Sequence, residues 1–371
     1  MKICLLIYKL DFGGSQRQIV ELSKSLAEEG HDVTLMSCYD GGFFSQELKT
    51  HADVKCVSLN KKGKWDVFGF LFRFLISLRK FRPDVLYGFL SLANLISVFA
   101  KIVLPGVKVV FGVRASNIDL KKYGYSMRVV FQLECFFSRF ADSVIANSVA
   151  GKTYYQKCYS CPYEISVVQN GINTENFKPD SEKRVKQRIS WNVSSDYILI
   201  GIVGRIDPMK GYSVFIQAAA IAAQKRMNVF FVCIGDGPED YILELKILAS
   251  KSRISDRIIW TGFNQDMSQA YNALDLFTSA SLFGEGFSNA VGEAMATGIP
   301  CVVTDVGDSA LIVGDTGVVV SPDDPAFLVS GWEEFLSGNK NISSQKIRKK
   351  IVDEFDLRKL TKRTEKILLS D

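Results

Sequence analysis

Two acids stand on either side of what reads as a helix start. Phe283 to Thr297 runs F-G-E-G-F-S-N-A-V-G-E-A-M-A-T, with Glu285 in a glycine turn and Glu293 eight residues on. Gly284 and Gly286 keep side-chain bulk out of the turn, so a ligand can approach the backbone. The amides of Phe287, Ser288, Asn289 and Ala290 would then be the first-turn donors of a helix, suited to an anion or to sugar oxygens. Glu293 lies four residues past Asn289, one turn deeper on a related face. Carboxylates repel a phosphate and accept hydrogen bonds from hydroxyls, so the pattern suits a ligand with both a phosphate and sugar rings. By spacing alone, a glycine turn into an ordinary core helix reads the same way.

A second cluster supplies the positive charge. Val203 to Gly211 reads V-G-R-I-D-P-M-K-G, a glycine turn carrying Arg205 and Lys210. A guanidinium fork and a lysine point charge can together neutralise a diphosphate. Near the start of the chain, Asp11 to Arg17 reads D-F-G-G-S-Q-R. Gly13 and Gly14 permit a close approach, and Arg17 falls on the first turn that follows. This loop is neither G-x-G-x-x-G nor a Walker loop, and no acid follows the second strand as a dinucleotide site would want. Turns at Gly235–Pro238 and Thr261–Phe263 offer further backbone groups, with Asp236 read as a cap for the next helix.

These loops need strands to hold them. Short apolar runs alternate with longer helical patterns, which predicts α/β architecture with parallel sheets built from βαβ units. A first series runs through Lys2–Tyr8, His31–Met36, Val54–Leu59, Asp84–Tyr87, Lys108–Gly112, Ser143–Ala146 and Ile165–Gln169. A second follows at Tyr197–Val203, Val229–Ile234, Ile258–Trp260, Leu276–Thr278, Pro300–Thr304 and Gly317–Val320. The loops above all leave the C-terminal edges of strands, where open α/β sheets bind ligands. Ser15 is read as the cap of the first helix. The polar stretch Asn173 to Ser195 reads as the linker, and Ser343 to Leu369 as a charged helical tail.

Composition narrows the partners. The chain has 371 residues, enough for two domains, with 47% hydrophobic and 23% charged residues. Net charge is +8 over residues 1–172 and −3 over the rest. The basic first half suits a membrane surface or a phosphorylated acceptor; no nucleic-acid motif is present. Eight cysteines are scattered and Cys158-Tyr-Ser-Cys161 is a lone C-x-x-C. With only two histidines, metal or redox use is not expected. The chain opens on an apolar strand, so a reducing cytosol is expected. No segment reaches the roughly 20 apolar residues of a membrane span. Trp65–Phe81 and Met127–Phe140 mix aromatics with Arg and Lys. They read either as core-facing helices or as helices that touch an anionic bilayer, with Arg73, Arg79 and Lys80 as lipid contacts.

Taken together, the G-G-S-Q-R loop, V-V-Q-N-G-I-N-T-E-N-F (Val167–Phe177), V-G-R-I-D-P-M-K-G and E-G-F-S-N-A-V-G-E-A resemble the family-four retaining glycosyltransferases of GT-B architecture. The resemblance covers nearly the whole chain. It implies two Rossmann-like parallel-sheet domains facing each other across a cleft. Residues 1–172 would bind the acceptor and 173–350 the nucleotide sugar, with a C-terminal helix over 351–371 crossing back. Arg205 and Lys210 would hold the donor diphosphate, Glu285 the transferred sugar, and Glu293 the ribose. The amides of Gly286, Phe287, Ser288, Asn289 and Ala290 would hold sugar and phosphate, and Gly14 would let the first domain close over the phosphates. The implied catalytic set is Glu285, Arg205 and Lys210, with Gly13, Arg17 and Arg114 on the acceptor side. No cofactor is implied beyond the nucleotide sugar as co-substrate, and without a D-x-D triplet no metal is required.

The chain departs from many relatives after the fifth strand. Gly112 to Leu120 holds Arg114, Ser116, Asn117 and Asp119 where they carry a histidine. A front-face retaining mechanism, with the departing phosphate taking the acceptor proton, is the simplest reading. The expected reaction moves a UDP-linked hexose or N-acetylhexosamine to a lipid-diphosphate-linked glycan at the cytoplasmic membrane face. The alternatives are a GT-B nucleotide-sugar epimerase, which uses carboxylate and histidine chemistry, and a non-catalytic nucleotide-sugar-binding protein.

Overall fold

The computed structural model of the chain describes residues 1–49, 51–63, 65–114, 116, 125–226 and 228–370. They form two compact units, Met1–Gly171 with Leu357–Asp371, and Ile172–Asp356. Among the described residues each unit carries one parallel sheet.

In the first unit the strands are β1 (Lys2–Ile7), β2 (Asp32–Ser37), β3 (Val54–Ser58), β4 (Val85–Phe89), β5 (Lys108–Val113), β6 (Ser143–Ala146) and β7 (Ser166–Val167), in the order β3-β2-β1-β4-β5-β6-β7. In the second they are β8 (Ile198–Val203), β9 (Val229–Ile234), β10 (Ile258–Gly262), β11 (Leu276–Ser279), β12 (Cys301–Thr304) and β13 (Val318–Val320), in the order β10-β9-β8-β11-β12-β13. The central strands are nearly continuous apolar runs because helices cover both faces. β1 is buried at every residue after Lys2. Strand order reverses between β1 and β4 in one sheet and between β8 and β11 in the other. Such reversals leave a crevice outside the strand C-termini.

Three expectations need correction. The stretch read as a linker is folded into the second unit. Its helix Ser181–Ser190 buries Gln187 and Arg188. Arg184 reaches Asp275 Oδ1 at 2.6 Å, Arg188 reaches its Oδ2 at 3.2 Å, and the Leu199 amide donates to that same Oδ2 at 2.7 Å. A helix docked through ion pairs shows little apolar periodicity, which is why it read as loop. The charged tail is two helices, Ser344–Phe355 and Leu357–Leu369. The first belongs to the second unit, anchored by the Ile172 amide on the Phe355 carbonyl at 2.8 Å. The second packs on helix Gly14–Glu28 in the first unit, where His31 Nε2 meets Glu365 at 2.9 Å. The caps also differ. Helix Gly14–Glu28 starts on Gly13 with no side-chain cap, so Ser15 lies inside it. Asp236 receives its neighbour Gly237's amide at 2.8 Å, and Pro238 occupies the cap position.

Candidate functional site

The loops after β8 and β11 flank the strand reversal of the second sheet, and several contacts lock them together. The Leu282 amide donates to the Met209 carbonyl at 2.8 Å. Gly211 sits in the left-handed region at φ 69°, and a Cβ there would run into the Ala280 carbonyl oxygen. Asp207 organises the first loop: it caps the short turn Pro208–Lys210, accepting from the Met209 amide at 2.9 Å.

The lock places Lys210 against Glu285. Lys210 Nζ donates to Glu285 Oε2 at 2.6 Å and the Ser281 hydroxyl donates to the same oxygen at 3.1 Å. Glu285 is only 7% exposed. Burial pushes its carboxyl up, but the Lys210 charge and hydrogen bonds from Lys210, Ser281 and Ser288 outweigh burial and hold it below the usual carboxylate range. Glu285 is therefore ionised at neutral pH. The two residues that the resemblance assigned to different parts of a donor are bonded to each other.

Arg205 behaves differently. Its side chain is 66% exposed and pairs with Asp207 at 2.9 Å on the rim. Glu293, on helix Asn289–Ala296, is buried and accepts from the Tyr271 hydroxyl at 2.9 Å. Phe287 is a core residue, its ring 5.3 Å from that of Phe355, so only its backbone is available to a ligand. Ser288 is the helix cap residue and is buried; Asn289 and Ala290 are half-buried in the first turn. The Gly286 carbonyl accepts from the Asp308 amide at 3.0 Å, which fixes the turn from the β12 side.

Residues missed in the sequence are those that hold this turn. Ser281 and Tyr271 supply hydroxyls to the two acids. Gly307 lies at φ 64°, where a Cβ would strike the Glu285 and Gly286 carbonyls. The V-G-D triplet after β12 was the available signal for Gly307, a glycine following a strand at the same sheet edge.

In the first unit, Gly13 precedes helix Gly14–Glu28 with extended backbone, and the Arg17 amide closes the first turn on the Gly13 carbonyl at 3.0 Å. The Arg17 guanidinium lies 5.7 Å from the Phe12 ring centre. Arg114 follows β5 and is buried. It donates to the Tyr87 hydroxyl at 2.6 Å and to Asn170 Oδ1 at 3.2 Å, and stacks 4.0 Å over Phe89. Burial pulls its pKa below the usual arginine value. Ser116 is buried nearby in sequence; Asn117 and Asp119 lie outside the described residues.

A family model described as Glycosyl transferases group 1 matches residues 198–337, and one described as Glycosyltransferase Family 4 matches residues 12–176. The chain is 29% identical over 217 residues to the lipopolysaccharide core biosynthesis mannosyltransferase LpsB of Rhizobium meliloti, covering 56% of this chain and 59% of that protein. It is 27% identical over 250 residues to the UDP-Gal:alpha-D-GlcNAc-diphosphoundecaprenol alpha-1,3-galactosyltransferase of Escherichia coli, covering 65% and 63%. The matched stretch thus spans about three fifths of those two relatives. Among solved structures, Anabaena HepE in complex with UDP and glucose superposes with a TM-score of 0.87 at 21% identity, over 100% of both chains. That likeness establishes the fold. With one family model on each of its two units and the resemblance in its loops, the chain belongs to the family-four glycosyltransferases of GT-B fold.

Proposed function

We propose that the protein transfers a hexose or N-acetylhexosamine, with retention, from a UDP-sugar to a lipid-diphosphate-linked glycan during surface polysaccharide assembly at a membrane face. The observation that carries this reading is the Lys210–Glu285 pair, 2.6 Å apart beside a helix start at the strand reversal of the second sheet. Lys210 and the exposed Arg205 bring two positive charges to one loop, suited to the charge that grows on a departing diphosphate. Glu285, kept ionised, accepts from hydroxyls of the transferred sugar. First-turn amides of Gly286 to Ala290 favour the phosphate, and Glu293 receives the ribose. The departing phosphate takes the proton of the acceptor hydroxyl, and the new glycosidic bond forms on the face the diphosphate leaves. The charge of Lys210 and Arg205 takes the part that a metal plays elsewhere, so transfer continues in EDTA. Gly13, Arg17 and Arg114 are assigned to the acceptor side and Gly14, which has no side chain to obstruct a ligand, to the nucleotide sugar. The Escherichia coli relative, a UDP-Gal transferase onto a diphosphoundecaprenol-linked GlcNAc, supports UDP and the lipid diphosphate as the donor and acceptor chemistry.

The test incubates the full chain with a panel of UDP-sugars and a polyprenyl-diphosphate-linked saccharide, and reads the product by mass spectrometry and NMR. A product carrying the donor's anomeric configuration is expected. An inverted anomer would refute retention, and an epimerised donor formed without acceptor would replace transfer with epimerisation.

A further inference from the structure

Helix Phe68–Phe81 has two apolar faces. Phe70, Phe74 and Leu78 are buried in the core of the first unit. On the opposite side Phe68, Phe72 and Ile76 follow one another at four-residue spacing and are 88%, 66% and 48% exposed. Trp65, just before the helix, is 96% exposed. A soluble surface rarely strings large apolar groups along one line, and such a stripe marks a binding surface. It extends beyond the helix: the short helix Val98–Ile102 packs beside it and exposes Ile102 at 68%.

We infer that this outer stripe docks on the headgroup–acyl boundary of an anionic bilayer. Charge selects this occupant over a second copy of the chain. From Lys61 to Leu104 the sequence has eight Lys and Arg and two acids. Both acids are engaged within the unit: Asp66 pairs with Arg73 and accepts the Lys62 amide at 2.8 Å, and Asp84 accepts the Lys2 amide at 2.7 Å. Asp84 is exposed but bonded and Lys101 pairs with Asp142 at 2.8 Å, so the surface's excess of positive charge is carried by the exposed Lys62, Arg79, Lys80 and Arg82. A copy of itself would meet like charge, whereas anionic headgroups meet opposite charge. Arg79 and Lys80 are exposed and extend the stripe at its C-terminal end. Apolar insertion of about 5–10 Å beside basic side chains is how interfacial helices bind. The structure also changes which residues should matter. Arg73, expected as a lipid contact, is turned inward by hydrogen bonds to the Leu59 and Asn60 carbonyls at 2.8 and 3.2 Å. The inference deepens the reading above by locating where the enzyme meets its lipid acceptor, and rests on that reading only for the acceptor.

The test is co-sedimentation of the full chain with vesicles of phosphatidylglycerol and phosphatidylethanolamine, against vesicles of phosphatidylcholine alone. The wild type should bind the anionic vesicles and shift its fluorescence to the blue, a shift lost in Trp65→Phe. A triple variant, Trp65→Ala, Phe68→Ser and Phe72→Ser, should partition at least ~100-fold more weakly, because it removes three insertable side chains. Arg79→Glu with Lys80→Glu should weaken binding to anionic vesicles and leave Arg73→Gln close to wild type. UDP binding by every variant should equal wild type, which separates failure here from failure of the transfer reading. Equal vesicle binding by the stripe variants would overturn the inference. So would a wild-type dimer that the triple variant converts to monomer without any vesicle binding.

Discussion

Lys210→Met leaves the Glu285 carboxylate buried with its cation gone and the side-chain volume nearly kept. Removing one member of a buried pair costs roughly 3–5 kcal/mol. The low end, about 3 kcal/mol, applies here, because Lys210 is partly exposed and the Ser281 and Ser288 hydroxyls still donate to Glu285. The cost also depends on pH, with a definite sign. In the wild type the Glu285 pKa is depressed, so the pair contributes stability above the ordinary carboxylate pKa and loses it as pH falls through the depressed value. Without Lys210, burial acts with less opposition and raises the pKa, so the variant loses stability as pH rises through that raised value. The gap between the two proteins is then wide at pH 7.5 and narrows toward pH 4, by up to about 1.4 kcal/mol per pH unit. Urea unfolding followed by tryptophan fluorescence suits the measurement, since Trp191, Trp260 and Trp332 all lie in the second unit. Adding Glu285→Gln to Lys210→Met should restore at least about 2 kcal/mol. A cost that does not change with pH, or a double variant no more stable than the single one, would refute the coupling.

Other outcomes follow from the same geometry. Gly211→Ala should cost at least about 3 kcal/mol, because it adds a clash with the Ala280 carbonyl to left-handed strain, whereas Gly338→Ala, at φ 78° with open space around it, should cost about 1 kcal/mol; equal melting shifts would remove the clash. Glu134 is buried, accepts from Asn94 Nδ2 at 2.7 Å and the Tyr159 hydroxyl at 2.5 Å, and has its carboxyl pushed up by burial. Wild-type stability should therefore fall as pH rises through that raised value, and Glu134→Gln should flatten the slope in melting curves from pH 5 to 8.5. Glu293→Gln keeps an acceptor for Tyr271 and should raise the donor KM about 10-fold with kcat largely kept, the size of one charge-assisted hydrogen bond; an unchanged KM would count against the ribose role.

The strands were legible because a parallel sheet covered on both faces writes each strand as a short apolar run, as in Val229–Ile234 and Ser143–Ala146. The loops were legible because glycines with positive φ must recur where strand ends meet, as at Gly204, Gly211 and Gly284. What was hidden is pairing across distance. Lys210 and Glu285 are 75 residues apart, and nothing local says that β8 and β11 are neighbours. Helix Ser181–Ser190 was hidden for a related reason, since Asp275, its ion-pair partner, is far along the chain. The outer stripe of helix Phe68–Phe81 was visible only as ambiguity. A sequence shows that Phe68, Phe70, Phe72 and Phe74 are apolar, not that alternate ones face outward.

The most direct measurement is a calorimetric titration of UDP and of uridine into the full chain, repeated for Arg205→Ala and Lys210→Ala. Diphosphate recognition by that loop predicts that UDP binds the wild type far more tightly than uridine. It further predicts that each substitution weakens UDP by at least ~10-fold, the loss of one charge-assisted contact, and leaves uridine unchanged. UDP binding no tighter than uridine, or the same in both variants as in the wild type, would contradict it.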